Sequence, residues 1–193
     1  MKALVLLSGG IDSAVCLAVA ARDGSNLCAL TVLYGQKHER EREAAGEIIK
    51  HYKHFGISHE VLALPSEAFK GFGSTLTDDK PNPHLTYEEL RKSSGPSPTY
   101  VPFRNANLLS LATTRALVLG CAYVYVGVHA DDARNYAYPD CTPEFIGAMA
   151  NAIHVGTYFK VRLRAPLMWM TKKEIVKLGY SYKIPFRLTY SCY

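Results

Sequence analysis

The sequence is short of several things, and each shortage narrows what the chain can be. Its longest apolar runs are strand-sized, so no segment is built to span a bilayer. Met1-Lys2 leads straight into Ala3–Leu7, and five apolar residues are too few for the core of a secretion signal. The five cysteines (Cys16, Cys28, Cys121, Cys141 and Cys192) are scattered singly and make no disulfide framework. A reducing, cytoplasmic setting is expected, with no membrane partner. None of the seven histidines stands at metal-ligand spacing from another. There is also no block of like charge. The net charge of +5 is spread, and Lys37-His38-Glu39-Arg40-Glu41-Arg42-Glu43 alternates in sign. That run reads as a solvated helix face, so no stable nucleic-acid partner is expected.

What is present suits a globular protein. With 193 residues, 48% of them hydrophobic and 20% charged, the chain can bury one substantial core, and residues 1–193 are expected to form a single domain. Apolar or β-branched runs alternate with segments of helical period. Ala3–Leu7, Leu27–Tyr34, His59–Leu64, Ala122–Val128 and Val161–Ala165 read as strands. Helices are expected at Asp12–Ala21 and at about His38–Phe55, where Ala44, Ala45, Ile48, Ile49 and Tyr52 share a face. Another should run from Arg104 to Leu119 and close at Gly120. A fourth, capped by Thr142 with Pro143 at its first position, should reach about Val155. Thr171-Lys172-Lys173-Glu174 is a capping-box pattern opening a last helix that should end at Gly179. Residues 65–102 form a long insertion with one short helix near Tyr87–Lys92, a candidate substrate lid or contact in a homodimer. This alternation predicts an α/β fold: a doubly wound, mostly parallel, five-stranded sheet with helices on both faces. Ligands of such folds bind beyond the carboxyl ends of the strands, at Ser8–Ser13, Tyr34–Gln36, Gly127–Asp132 and Ala165–Lys172.

The loop after the first strand is Leu7-Ser8-Gly9-Gly10-Ile11-Asp12-Ser13. Adjacent glycines let backbone approach an anion without a Cβ in the way. The following helix turns its positive end to the same place, and Ser8 and Ser13 add hydroxyl donors. The loop is therefore read as an ATP-phosphate cradle. A Walker A loop places a lysine directly after its last glycine, and none follows here. Pyrophosphate as a leaving group fits this loop better than transfer of a γ-phosphoryl group.

That string resembles the pyrophosphate loop of the N-type ATP pyrophosphatases. Further strings resemble one of their families: Tyr34-Gly35-Gln36-Lys37-His38, Tyr100-Val101-Pro102-Phe103-Arg104-Asn105, Tyr138-Pro139-Asp140-Cys141, Pro166-Leu167-Met168-Trp169-Met170-Thr171-Lys172 and Leu188-Thr189-Tyr190-Ser191-Cys192-Tyr193. Together these are similar to the 7-cyano-7-deazaguanine synthase family, in that family's order and across the whole chain. The resemblance implies an adenine nucleotide alpha-hydrolase-like fold. It also implies a ligase that uses ATP with Mg²⁺ to adenylate 7-carboxy-7-deazaguanine, aminates it with ammonia and carries the amide on to the nitrile. On this resemblance Leu7, Ser8, Gly9, Gly10, Ile11, Asp12, Ser13, Tyr34 and Gly35 are assigned to the nucleotide.

Arg104, with its planar fork, is assigned to phosphate or carboxylate. Lys172 is assigned to pyrophosphate, whose charge would make a lysine favourable at a helix N-terminus. Asn105, Tyr138 and Asp140 are assigned to the substrate; Asp140 is counted among the catalytic residues too, with Mg²⁺ coordination or a turn cap as its other roles. His129, Asp131 and Asp132 are candidates by position, but are expected to be solvated loop residues. Cys141, Trp169, Met168 and Met170 are expected to be packing residues. The family pattern also holds zinc with four cysteines, of which Cys192 matches the first. The other three are expected in a segment beyond residue 193. Two other functions fit the loop: an adenylating enzyme for a tRNA base or protein terminus, and a nucleotide-binding relative without turnover. An RNA-binding face would mark the first, and ATP binding without AMP release the second.

Overall fold

A computed structural model of the protein describes residues 1–24, 26–36, 39–78 and 95–190. Five strands form one sheet: β1 (Lys2–Leu6), β2 (Asn26–Leu33), β3 (Ser58–Ala63), β4 (Tyr123–Tyr125) and β5 (Arg162–Arg164). Their order is β3-β2-β1-β4-β5, and all four pairings are parallel. The expected doubly wound sheet is borne out. β1 lies at its centre, and the chain crosses from one half of the sheet to the other between β3 and β4. The strand order therefore reverses beside β1, where a crevice opens at the carboxyl ends of β1 and β4.

Helices cover both faces: α1 (Ile11–Arg22), α2 (Glu39–His51), α3 (Arg104–Leu119), α4 (Ala130–Ala133), α5 (Pro143–Gly156) and α6 (Lys172–Ser181). Alternation along β1 divides the core. Ala3, Val5 and Leu7 join Val15, Leu17, Ala45, Ile48 and Ile175 on the α1/α2/α6 face. Leu4 points the other way, among Leu109, Ala112, Val124, Ile146 and Val161 under α3 and α5. A strand buried on both faces has no polar alternation, which explains the uninterrupted apolar run. Each fully buried leucine contributes about 1.5–3 kcal/mol. A third small cluster joins Tyr34, Phe69, Leu76 and Val101, and anchors part of the insertion to the sheet.

Several boundaries differ from the expected ones for local reasons. β4 is three residues long rather than seven, because β1 has turned into the phosphate loop and leaves Val126–Val128 without a β1 neighbour. Helix α2 stops at His51; a separate 3₁₀ turn over Lys53–Phe55 follows, closed by Gly56 at φ 63°. Helix α3 spans Arg104–Leu119 with Gly120 at φ 68°, as read from sequence, but its N-cap is Phe103 at φ 59°. Helix α6 continues to Ser181, past the glycine taken as its end. Gly179 is there for packing instead: a Cβ would meet Phe186 Cζ at 2.4 Å and Val15 Cγ2 at 3.0 Å. Trp169, expected in the core, is 79% exposed, while Met168 is buried. The short helix expected near Tyr87–Lys92 lies outside the described residues.

Two glycine substitutions should therefore move stability in opposite directions. Gly179→Ala should cost about 1–3 kcal/mol through overpacking against Phe186. Gly46→Ala, in α2 with nothing within 4 Å of the new methyl, should add about 0.5–1 kcal/mol. Urea unfolding midpoints measure both.

Candidate active site

The crevice beside β1 holds a cavity of about 190 Å³. Its wall includes Leu7, Ser8, Asp12 and Ser13 from the glycine loop and Thr31, Tyr34 and Gln36 from the end of β2. Arg104, Asn105 and Leu108 come from α3, and Gly127, Asp132 and Cys141 lie beyond β4. The sequence had placed ligands at these strand ends.

The loop is held by its own hydroxyls and by two close backbone approaches. Ser13 Oγ donates to the Gly10 carbonyl at 2.9 Å, lies 3.1 Å from Ser8 Oγ, and accepts from the Ser8 N–H at 3.2 Å. Gly9 sits at φ +92°, and a Cβ there would lie 2.3 Å from the Glu41 carbonyl oxygen and 2.8 Å from the Ala45 nitrogen. Helix α2 thus rests directly on the loop. On the other side, a Cβ on Gly127 would lie 3.0 Å from the Asp12 carbonyl group. Glycine at both positions lets backbone pack directly on backbone and fixes the loop's N–H donors, which is what a polyphosphate needs.

Four charged side chains meet at the start of α1. Lys172 Nζ donates to Asp12 Oδ1 at 2.7 Å and Oδ2 at 2.6 Å, joining residues 160 positions apart. The Lys172 N–H donates to Asp131 Oδ2 at 2.7 Å, which caps α6 from outside its capping box. His129 Nε2 lies 3.7 Å from Asp12 Oδ2 and 3.4 Å from Asp132 Oδ2. Burial works to raise the Asp12 pKa, but the His129 and Lys172 contacts outweigh it and hold the carboxyl below its ordinary value. Burial works to lower the His129 pKa, and the hydrogen bond to Asp12 with the charges of Asp132 and Asp12 outweigh it, so the imidazolium is favoured. Asp132 moves the other way: burial dominates and raises it above the usual carboxylate range despite His129.

On the opposite wall, Arg104 donates from Nη1 to Tyr34 OH at 3.0 Å and stacks over that ring at 5.4 Å. Asp140 is 2% exposed and stands behind Asn105, not in the cavity wall. Its Oδ2 accepts the Asn105 N–H at 2.9 Å, supplying the cap that Phe103 does not. Asn105 Nδ2 donates to the Asp140 carbonyl at 3.1 Å and to Cys141 Sγ at 3.2 Å. Burial, only partly countered by the Asn105 N–H and Arg104, raises the Asp140 pKa. Tyr138 is likewise outside the wall, its hydroxyl bonded to Thr99 and, at 3.2 Å, to Ser97 Oγ. Gly35, at φ +86°, leaves room for Ser66, whose Cβ would lie 2.5 Å from an added methyl. Cys141 is buried and its thiol is pushed well up by burial, as a packing residue's would be.

Two wall residues, Glu41 and Arg42, belong to the run read as a solvated helix face. The signal was in the spacing: Glu41 is four residues before Ala45, on the buried side of α2. His129, expected in an exposed loop, is 3% exposed. Cys192 lies outside the described residues, and among the described residues no group of three or more His, Cys, Asp or Glu side chains can hold a metal ion. No helix among them is long and apolar enough to cross a membrane.

Comparison with known proteins assigns the family. A family model described as queuosine biosynthesis protein QueC matches residues 2–193. The chain belongs to the QueC family. Relatives described as 7-cyano-7-deazaguanine synthase support the assignment. That of Leptospira interrogans is 42% identical over 197 residues, covering 100% of this chain and 77% of the relative. That of Methanospirillum hungatei is 39% identical over 196 residues, covering 100% and 86%. Among solved structures, a 4-thiouridine synthetase–RNA complex with bound ATP aligns at TM-score 0.60 and 19% identity, over 97% of this chain and 42% of that one. An NH3-dependent NAD synthetase from Campylobacter jejuni aligns at 0.55 and 14%, over 98% and 69%. At those identities the likeness is one of fold. This member of the QueC family thus shares their doubly wound sheet, with its glycine loop at the switch point.

The charge cluster makes a pH prediction. His129 has a raised folded pKa, so its contribution to stability is complete below the unfolded value of 6.5 and is lost as pH rises through the folded one. Asp12 is lowered, so its contribution holds above 3.8 and is lost as pH falls through its folded value. In an NMR titration of the imidazole ring, Asp12→Asn should bring the His129 midpoint down toward or below 6.5.

Proposed function

We propose that the chain is an ATP-dependent carbon–nitrogen ligase of the 7-cyano-7-deazaguanine synthase type. One carboxylate oxygen of 7-carboxy-7-deazaguanine attacks the α-phosphorus of ATP, and pyrophosphate leaves. Ammonia displaces AMP to give the amide. The amide oxygen is then adenylated by a second ATP and departs with AMP, leaving the nitrile. Above all, one observation supports this function: the family match spans residues 2–193 and so includes every segment that walls the cavity, among them the glycine loop, the end of β2 and the start of α3.

The chain's residues take simple parts. Backbone donors of Gly9–Ser13 and the Ser8 and Ser13 hydroxyls cradle the β- and γ-phosphates, with Leu7, Tyr34 and Gly35 toward the nucleoside. Lys172 exchanges its Asp12 partner for the leaving pyrophosphate, and its position 2.6 Å from the loop's own carboxylate keeps it within reach. Arg104 faces the α-phosphate and the reacting carboxylate. Asn105 contacts the substrate ring from the wall, and Asp140 and Tyr138 support that wall from behind, fixing Asn105 and the segment of residues 97–99. Orientation and electrostatic stabilisation at phosphorus need no covalent nucleophile. Mg²⁺ arrives on the triphosphate and neutralises part of its charge. A zinc site using Cys192 belongs to this proposal as well. It needs three more thiolates, and the four buried cysteines among the described residues belong to no group that could hold a metal. A cytoplasmic location and small-molecule substrates follow from the same proposal.

Incubation with carboxydeazaguanine, ammonia and ATP should release two AMP per nitrile, measured by chromatography; ADP in their place would sink the mechanism. Lys172→Ala should raise the KM for ATP about 10- to 100-fold, the size of a lost charge-assisted phosphate contact.

A further inference from the structure

The residues assigned so far handle ATP and orient the acid, but none prepares the nitrogen nucleophile. At neutral pH ammonia is mostly ammonium, which has no lone pair to attack with. A proton acceptor must therefore stand in the cavity. Asp12 pairs with Lys172 and, when that lysine moves to pyrophosphate, is left to His129. Asp140 lies behind the wall, Asp131 accepts the Lys172 N–H, and Glu41 stands on α2 against Gly9, at the phosphate loop. Asp132 is different. It lines the cavity, and its side chain keeps 29% of its surface accessible there. On its protein side stands His129, with only 4% of its side chain exposed and Nε2 3.4 Å from Asp132 Oδ2. His129 Nδ1 is buried with no hydrogen-bond partner, so the carboxylates of Asp132 and Asp12 are the polar groups that hold the ring.

Building on the proposed ligase function, we infer that Asp132 takes the proton from ammonium in the amide-forming step, and that His129, 3.4 Å away on its protein side, is the positioning residue that holds that carboxylate at the cavity wall. Ammonium enters beside Asp132, and one N–H bond breaks with its proton passing to the carboxylate. The freed lone pair forms the C–N bond at the acyl carbon, and the C–O bond to AMP breaks with its electron pair leaving on the phosphate. The remaining excess N–H proton of the adduct goes to solvent, giving the neutral amide. Asp132 returns its proton to solvent when the products depart. No oxidant or further reactant is needed.

The electrostatics suit this use. Burial raises the Asp132 pKa; of the neighbouring charges, His129 opposes this most strongly, with Lys172 and Arg104 helping and Asp12 working against it. In its turn His129 is held charged by Asp12 and Asp132 against burial and Lys172. A carboxylate whose pKa is raised by burial is a stronger proton acceptor than an ordinary surface aspartate.

The test separates the two half-reactions. ATP–pyrophosphate exchange dependent on carboxydeazaguanine reports adenylation, and amide formation with ammonium reports the step inferred here. Asp132→Asn should slow amide formation about 100-fold more than it slows exchange. Hydroxylamine, largely unprotonated at neutral pH, should recover most of that loss, with hydroxamate as the product read. In His129→Gln the acid limb of the amide-formation pH profile should move to higher pH. Equal losses in both half-reactions, or no advantage for hydroxylamine, would overturn the role of Asp132. A pH profile in His129→Gln superimposable on wild type would overturn that of His129. Should Asp132→Asn fail to fold, the wild-type enzyme serves: its acid limb must appear with ammonium and be absent with hydroxylamine. Absence of any substrate-dependent exchange would instead remove the proposed ligase function itself.

Discussion

The site depends on how closely backbone can approach backbone around one loop. At Gly9 the carbonyl of Glu41 and the amide of Ala45 occupy the volume of a side chain, and at Gly127 the Asp12 peptide does the same. These contacts clamp the loop between α2 and the end of β4, so its donors are fixed before any anion arrives. Preorganisation of this kind is what makes donors effective at a charged group. It also explains why Glu41 and Arg42, in a helix otherwise given to solvent, reach the cavity wall: a helix lying on the loop cannot keep its first turns away from the loop's ligand.

The second organising element is a chain of alternating charge, Lys172–Asp12–His129–Asp132, built from three segments far apart in sequence. Each member is partnered by the next, which is how several ionisable groups share a buried space. The chain links the glycine loop to the start of α6 and to the turn after β4. Whatever draws Lys172 toward phosphate leaves Asp12 to His129 alone, so polyphosphate and the His129–Asp132 pair are electrostatically connected.

Much of this was legible in the residues, and the exceptions share a cause. Periodicity gave the five strands and the long helices, since a two-sided apolar strand and a one-sided apolar helix differ at every second residue. The cradle was legible because Ser-Gly-Gly-x-Asp-Ser names its own chemistry. Errors arose where one residue serves two elements. Gly179 looked like a helix terminator and is a seat for Phe186. Asp140 looked like a ligand residue, with a turn cap as its other role, and its carboxylate caps α3 across 35 residues of sequence. His129 looked exposed because its two carboxylate neighbours include one from the far end of the chain's first loop. Trp169 shows the converse, a large apolar residue that the fold leaves in water. Local pattern carries no information on such pairings, which only tertiary contact creates.

The strand order has a consequence for how the molecule is made. β1 emerges first, and its pairing with β2 requires only the intervening helix, Ala3 meeting Leu27. Its other edge must wait for Tyr123, about 120 residues later, with the insertion and α3 in between. Closing so long a loop carries an entropic cost before any contact repays it. During synthesis the β3-β2-β1 half can form while the Leu4 side of the central strand still lacks both neighbour and cover. That bare edge is the one that becomes the rim of the crevice, so the longest-range pairing of the central strand is also the one that completes its ligand site.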